Sequence, residues 1–250
     1  TNMPVVEFPL EDINRLFSDY DLEYILDMLP FIGLDLEYRG DKCIRLEYSA
    51  NRPDFCTFYG ISRALNGLLG KEVGIPKFEV YENTQNLIRV DTSVAKIRPF
   101  IVGIVAKDHK LNNNIIKQIV SMQEDLHNGI GRGRSKASIG FHNLDNIEFP
   151  LDYTTTLDNL SFVPLDRSSS LTLAEIVDKI ESGKKFGNLL KGSHYPILRD
   201  SKGNVISFPP IINSEVTRIK DGVDNLFVEV TGIDKKTVDN VLANIVATLA

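Results

Sequence analysis

Leu226-Phe227-Val228-Glu229-Val230-Thr231 sets a carboxylate and a hydroxyl two residues apart in a run that alternates with period two. Side chains two apart on a strand point the same way. Glu229 and Thr231 therefore share a face with Phe227, opposite Leu226, Val228 and Val230. An acceptor, a hydroxyl and an aromatic wall are the parts of a small pocket for a polar group. Ser207 would join them from a neighbouring strand, and Asn213 from the chain that follows Pro209-Pro210. Alternation fits a second outcome equally well: an ordinary half-buried strand whose polar face, with Glu229 and Thr231, is solvated. No Ser-His-Asp or Cys-His arrangement stands out, so no side-chain nucleophile is implied.

The remaining reactive residue types are sparse. His109, His127, His142 and His194 show no i, i+4 pairing and no cysteine companion, which argues against a metal site. His142 ends an expected strand over Ala137–Phe141; such a residue can serve as a base, but more often it is a hydrogen-bonded structural group. Cys43 and Cys56 lack metal-type spacing and read as free thiols of a reduced compartment, which makes a cytoplasmic location the expectation. The glycine-rich stretch Gly129–Arg134 has no closing Gly-Lys-Ser/Thr and no strand leading into it. It reads as a flexible turn bearing two arginines, not a phosphate loop. A formal charge of −6 argues against strong nonspecific nucleic-acid binding. Any RNA contact would come from local patches: Arg132, Arg134 and Lys136, or Lys184, Lys185, Lys191, Arg199 and Lys202. Such clusters are commonly only solvated surface.

The elements that must position these residues are legible. Ile197-Leu198 and Val205–Phe208 flank Asp200-Ser201-Lys202-Gly203-Asn204, which has the composition of a hairpin turn. Pro209-Pro210 then forms a rigid lead-in to Ile211-Ile212-Asn213. Strands are expected at Leu87–Val90, Phe100–Val105 and Tyr153–Leu157. Ile115, Ile119, Met122 and Leu126 mark an amphipathic helix with Gln123 and His127 at the margin of its stripe. Thr172-Leu173-Ala174-Glu175 is a capping box. Asp234 can cap a last helix with Val238, Val241, Leu242, Ile245, Val246 and Leu249 on its stripe. Toward the N-terminus, Val5–Phe8 and Cys43–Tyr48 read as strands. Asp21 can cap a helix through Leu22, Ile25, Leu26 and Leu29, and Asn51-Arg52-Pro53-Asp54 opens another.

Lys71 to Gln85 has the character of a linker. The expected fold is α+β: a small domain over residues 1–83, then a larger domain over 84–250 with a mixed or antiparallel sheet packed on helices. No run of about 18 apolar residues exists, so no membrane association is expected, and the N-terminus does not read as a signal peptide. Thr1-Asn2 before Met3 reads as a cloning remnant.

Ser207-Phe-Pro-Pro-Ile-Ile-Asn213, Thr217-Arg-Ile219 and Phe227-Val-Glu-Val-Thr-Gly-Ile-Asp234 together resemble the beta subunit of phenylalanyl-tRNA synthetase in its archaeal and eukaryotic form. The stretches NRPDFCTFYGISRAL, AKIRPFIVGIVAK, MQEDLH, KASIGFHNLD and VLANIVATLA follow in the family's order, so the resemblance covers almost the whole chain. It implies an N-terminal structural domain and an editing domain, which hydrolyses tyrosine wrongly esterified to tRNA(Phe). It also implies roles. Glu229 would contact the tyrosine hydroxyl, and Leu198 would line the ring slot. Gln123, Ser207, Asn213 and Thr231 would place the amino acid and water, and Arg134 would favour the tRNA end. No cofactor or metal is implied for this chain; ATP and magnesium are expected for the complete synthetase. The expected partners are tRNA(Phe) and the alpha subunit of an alpha2beta2 assembly. A freestanding trans-editing factor and a non-catalytic tRNA- or subunit-binding module are the alternatives.

Overall fold

A computed structural model describes residues 3–82 and 84–249; Thr1-Asn2 and Asn83, where the remnant and the domain break were expected, lie outside the described residues. The chain is mixed helix and sheet and groups into two compact units.

The first unit comprises the residues up to Glu79 together with Gln118–Gly129 and the stretch from Asn244 onward. Two of its segments thus come from later in the chain. Three antiparallel strands, β1 (Val5–Pro9), β2 (Leu34–Arg39) and β3 (Cys43–Tyr48), form a sheet in the order β1-β3-β2. Helices α1 (Leu10–Leu16), α2 (Leu22–Met28) and α3 (Phe58–Leu68) contribute Ile13, Ile25, Ile61 and Leu65 to its core beside Phe8, Ile44 and Leu46. One helix start falls where expected but without its cap bond, and another differs from expectation. Asp21 occupies the position before α2 but makes no side-chain cap bond. Pro53 opens only a single 3-10 turn over Pro53–Cys56, and α3 starts afresh behind Thr57, whose hydroxyl accepts from Gly60 N at 3.4 Å. Proline fits a first turn, where its missing N–H costs nothing, yet here that turn closes on itself before the longer helix begins.

The second unit holds Val80–Lys117 and Ile130–Ala243. Helix α4 (Asn113–Asn128), whose residues from Gln118 on group with the first unit, bears the expected stripe, with Ile119, Met122 and Leu126 buried. Strands β4 (Ile88–Val90), β5 (Phe100–Ala106), β6 (Ala137–Asn143) and β7 (Leu151–Leu157) follow the expected order. A small ribbon, β8 (Ser161–Phe162) with β9 (Leu171–Thr172), leads into α5 (Leu173–Lys179) and α6 (Glu181–Phe186). The Thr172–Glu175 capping box closes in both directions. Next come β10 (His194–Arg199), β11 (Val205–Phe208), β12 (Ile212–Asn213), β13 (Leu226–Gly232) and helix α7 (Lys235–Leu249), whose residues from Asn244 on group with the first unit.

Two sheets matter for the site. One runs β12-β11-β10-β7-β4, antiparallel except for the parallel pair β4–β7. The other is the antiparallel trio β5-β13-β6 with β13 in the middle. The first sheet is covered on both faces, as neighbours on β10 show: Ile197 packs with Leu173, Ile176 and Phe186 from α5 and α6. Leu198, pointing the opposite way, packs with Tyr153, Ile206 and Phe227 and so reaches the second sheet.

Candidate functional site

The hairpin that carries part of the site is built as its composition suggests. Asp200 Oδ1 accepts from Lys202 N at 3.0 Å and Asn204 N at 2.8 Å, closing the turn and fixing β10 against β11. β11 runs into Pro209-Pro210 and returns as β12, so that Ser207 and Asn213 sit opposite each other in the ladder. Ser207 Oγ donates to Asn213 Oδ1 at 3.3 Å, and Asn213 Nδ2 donates to Phe141 O of the other sheet at 3.4 Å. The amide thus ties the two sheets together.

Every residue of β13 is buried. The solvated outcome for Glu229 is therefore excluded: it is 2% exposed, and Thr231 is fully enclosed. The polar face of the strand is turned toward the other sheet rather than toward water. Glu229 lies between Gly103 on β5 and Gly140 on β6. Gly140 is the informative neighbour. A methyl group there would lie 2.6 Å from both Glu229 Oε1 and His142 Nε2, and 3.1 Å from Asn213 Oδ1. Three polar atoms thus converge on a space that only glycine leaves open.

His142, expected to be a hydrogen-bonded structural residue, is buried and bonded at one ring nitrogen. Its Nδ1 is 2.8 Å from Thr217 Oγ1, which holds the ring. Its Nε2 stands 3.9 Å from Glu229 Oε1, beyond hydrogen-bond range, and has no protein partner; neither does Glu229 Oε2. Leaving such buried atoms unpaired costs about 1–3 kcal/mol each, and more for a charged group. The ring of His142 also stacks beside Phe227, with centroids 5.8 Å apart. The alternation signal missed His142 because its partner Glu229 is distant in sequence; only the β13–β6 register brings them near.

The other expected residues fall as follows. Leu198 is fully buried against Phe227 and Tyr153. The Thr231 hydroxyl accepts from Arg98 Nε at 2.9 Å and is 3.0 Å from Ser138 Oγ. Arg134 Nη1 donates to Pro210 O at 3.3 Å and Ile211 O at 3.1 Å, while its guanidinium lies 4.3 Å over the Phe186 ring. The turn bearing Arg132 and Arg134 is accordingly anchored rather than flexible, with Lys136 N also bonded to Gly131 O. Gln123, half-buried on α4, groups with the first unit, whereas Ser207, Asn213, Leu198, Arg134, Glu229 and Thr231 all belong to the second.

Of the basic patches, Lys136 pairs with Asp234 at 3.6 Å and Lys202 with Glu148. Among the described residues, no cluster of three or more His, Cys, Asp or Glu side chains could hold a metal ion, and no helix is long and apolar enough to cross a membrane.

No family model matches the chain. Curated phenylalanine–tRNA ligase beta subunits do: that of Archaeoglobus fulgidus is 41% identical over 99% of this chain, and that of Methanosphaera stadtmanae 39% over 99%. The chain spans about 45% of the length of each. A crystal structure of an N-terminal fragment of the phenylalanyl-tRNA synthetase beta subunit from Pyrococcus horikoshii superposes with a TM-score of 0.92 at 32% identity, covering 98% of this chain and 73% of that one. At that identity and coverage, the chain belongs to the phenylalanyl-tRNA synthetase beta-subunit family.

Proposed function

We propose that the second unit hydrolyses the ester of tyrosine mischarged on tRNA(Phe), and that it selects tyrosine by its phenolic oxygen. The need is physical. A pocket built for phenylalanine rejects an added hydroxyl only weakly, by roughly a hundredfold. A second site that depends on that hydroxyl can refuse the analogue lacking it by roughly 10⁴–10⁵. The observation that carries the proposal is the pair of unpartnered atoms, Glu229 Oε2 and His142 Nε2, in a buried site kept open by Gly140. Glu229 accepts from the phenol, His142 faces the same oxygen, and Phe227 and Leu198 supply apolar walls. Ser207 and Asn213 order the amino acid and water at the margin, where Asn213 is only half-buried.

Water is the nucleophile. Its oxygen bonds to the ester carbonyl carbon, the carbon–ribose oxygen bond breaks, and the ribose oxygen takes up a proton, releasing tyrosine and intact tRNA. A neighbouring terminal hydroxyl of the tRNA can assist by holding the water. Arg134 serves through the backbone of Pro210 and Ile211 and reaches the tRNA end only if that clamp opens. The part expected of Gln123 rests on the resemblance alone and is tested by its alanine variant.

In the whole synthetase, we propose that aminoacylation with ATP and magnesium takes place together with the alpha subunit, in the cytoplasm. The direct test is deacylation of tyrosyl- and phenylalanyl-tRNA(Phe) by the full chain and by Glu229→Ala. Loss of the preference for tyrosyl-tRNA in the variant supports the assignment. Unchanged turnover and preference remove Glu229 from the pocket. Tyrosine binding without any deacylation would favour the non-catalytic module.

A further inference from the structure

Arg98 has no part in the roles described so far, yet it is among the most enclosed charged groups of the second unit, at 3% exposure. Among the described residues, no carboxylate lies within ion-pair distance of it. Its bonds are specific instead. Nε donates to Thr231 Oγ1 at 2.9 Å. Nη2 faces three acceptors: Thr231 O at 2.8 Å, Ser138 Oγ at 3.0 Å and Arg134 O at 3.2 Å. The main-chain oxygen of Arg98 is itself held by the Tyr153 hydroxyl at 2.8 Å. One guanidinium thus grips two residues of the proposed site and the hydroxyl between them.

Counting hydrogens in this cluster leads to a role. Ser138 Oγ and Thr231 Oγ1 are 3.0 Å apart and carry one hydrogen each. Both oxygens already accept from Arg98, so one hydroxyl hydrogen fills the bond between them. The other has no acceptor among the described residues. Either hydroxyl can donate in that bond; with Ser138 as the donor, the Thr231 oxygen accepts two bonds and its own hydrogen is left for a third group. Thr231 stands two residues from Glu229 on the same face of β13, so that third group lies on the side where the substrate would sit.

We propose that Arg98 is a positioning residue: it fixes Thr231 as a hydrogen-bond donor toward the ester carbonyl oxygen, where negative charge develops as water attacks. This rests on the hydrolytic reading above. A buried cation behind that donor strengthens it, because charge-assisted bonds gain most where water is excluded. Burial draws the guanidinium down to about 10, with the nearby Glu229 carboxylate opposing that fall. The group nonetheless remains charged at neutral pH.

The test uses the full 250-residue chain with tRNA(Phe) charged with tyrosine, comparing wild type, Thr231→Val, Thr231→Ser, Arg98→Lys and the double variant Arg98→Lys/Thr231→Val, each checked for folding by thermal melting. Thr231→Val is expected to lower kcat at least tenfold with KM changed less than twofold, and Thr231→Ser to retain most of kcat. Arg98→Lys keeps the charge but loses the planar fork, and is expected to lower kcat about tenfold. It is expected to add nothing further in the Thr231→Val background. Wild-type kcat in Thr231→Val overturns the proposal even if Arg98 variants fail to fold. So does a full additional tenfold loss in the double variant. A wild-type chain that hydrolyses nothing overturns both this proposal and the hydrolytic reading, whereas an active wild type with indifferent variants overturns this one alone.

Discussion

Glu229 of β13 stands directly across from Gly140 of β6, and a methyl group added at Gly140 would lie 2.6 Å from the Glu229 carboxylate. The glycine is thus a spacer for the acid. The acid and His142 both face the same gap, which is fixed by backbone register rather than by any mobile segment.

Gly140→Ala should close that gap. Real side-chain carbons essentially never approach other heavy atoms under 3.0 Å, so Glu229 and His142 must be pushed apart or the strand must shift. We expect tyrosine binding, followed by calorimetry, to weaken at least tenfold. A cost of about 1–3 kcal/mol in stability accompanies it, as for other overpacked sites. Undiminished binding would show that the space over Gly140 is not where the phenol sits.

Glu229→Gln and His142→Gln separate the two halves of phenol recognition. Each keeps a polar side chain of similar reach and removes one specific partner. Tyrosyl-tRNA hydrolysis should fall roughly 10–100-fold in either, on the scale of one lost hydrogen bond to a charged or buried group. Hydrolysis of phenylalanyl-tRNA, which offers no hydroxyl, should change little. Equal losses on both esters, measured side by side, would point to a general structural effect.

The capping box at α5 gives a pH-dependent contribution. Hydrogen bonds from Lys179 and then from the Thr172 backbone and hydroxyl hold the Glu175 carboxyl down at about 2, against an ordinary value of 4.5. Because the folded value is the lower one, this stabilisation is fully present above about pH 4.5 and is lost as pH falls through about 2. Thr172→Ala should cost about 1 kcal/mol at neutral pH. Denaturant melts should show the difference between wild type and variant shrinking in acid.

Cys56 and Cys43 should differ sharply in reactivity. Burial, followed by the nearby carboxylates of Asp125 and Asp54, pushes the Cys56 thiol up to about 12, and Cys56 is 2% exposed. Cys43 is half-buried. The thiolate is the reactive form, so alkylation at pH 8 should modify Cys43 and spare Cys56 until the first unit unfolds. Mass spectrometry of native and denatured samples reads this directly. Modification of both at equal rates in the native chain would contradict the burial.

Much of the architecture was written locally. The period-two run of β13, the Asp200–Asn204 turn, the stripe of α4 and the Thr172–Glu175 box each formed as their residues dictate, because each depends on neighbours a few positions away. The stretch from Ser207 to Asp234 also carried the family resemblance. Local patterns placed the start behind Asp21 but misplaced the one at Asn51–Asp54, and a cap residue shows its potential but not whether its side chain is used.

Alternation settles which side chains share a face, whereas the stacking of the sheets settles what lies opposite that face. Glu229 and Thr231 were assigned to one side of a strand by alternation, but a second sheet had to fold over them before that side became a buried site. His142 meets Glu229 only through the β13–β6 register, and Arg98 meets Thr231 across 133 residues of chain. Contacts at such separations depend on how sheets stack and close, and no short-range periodicity encodes them.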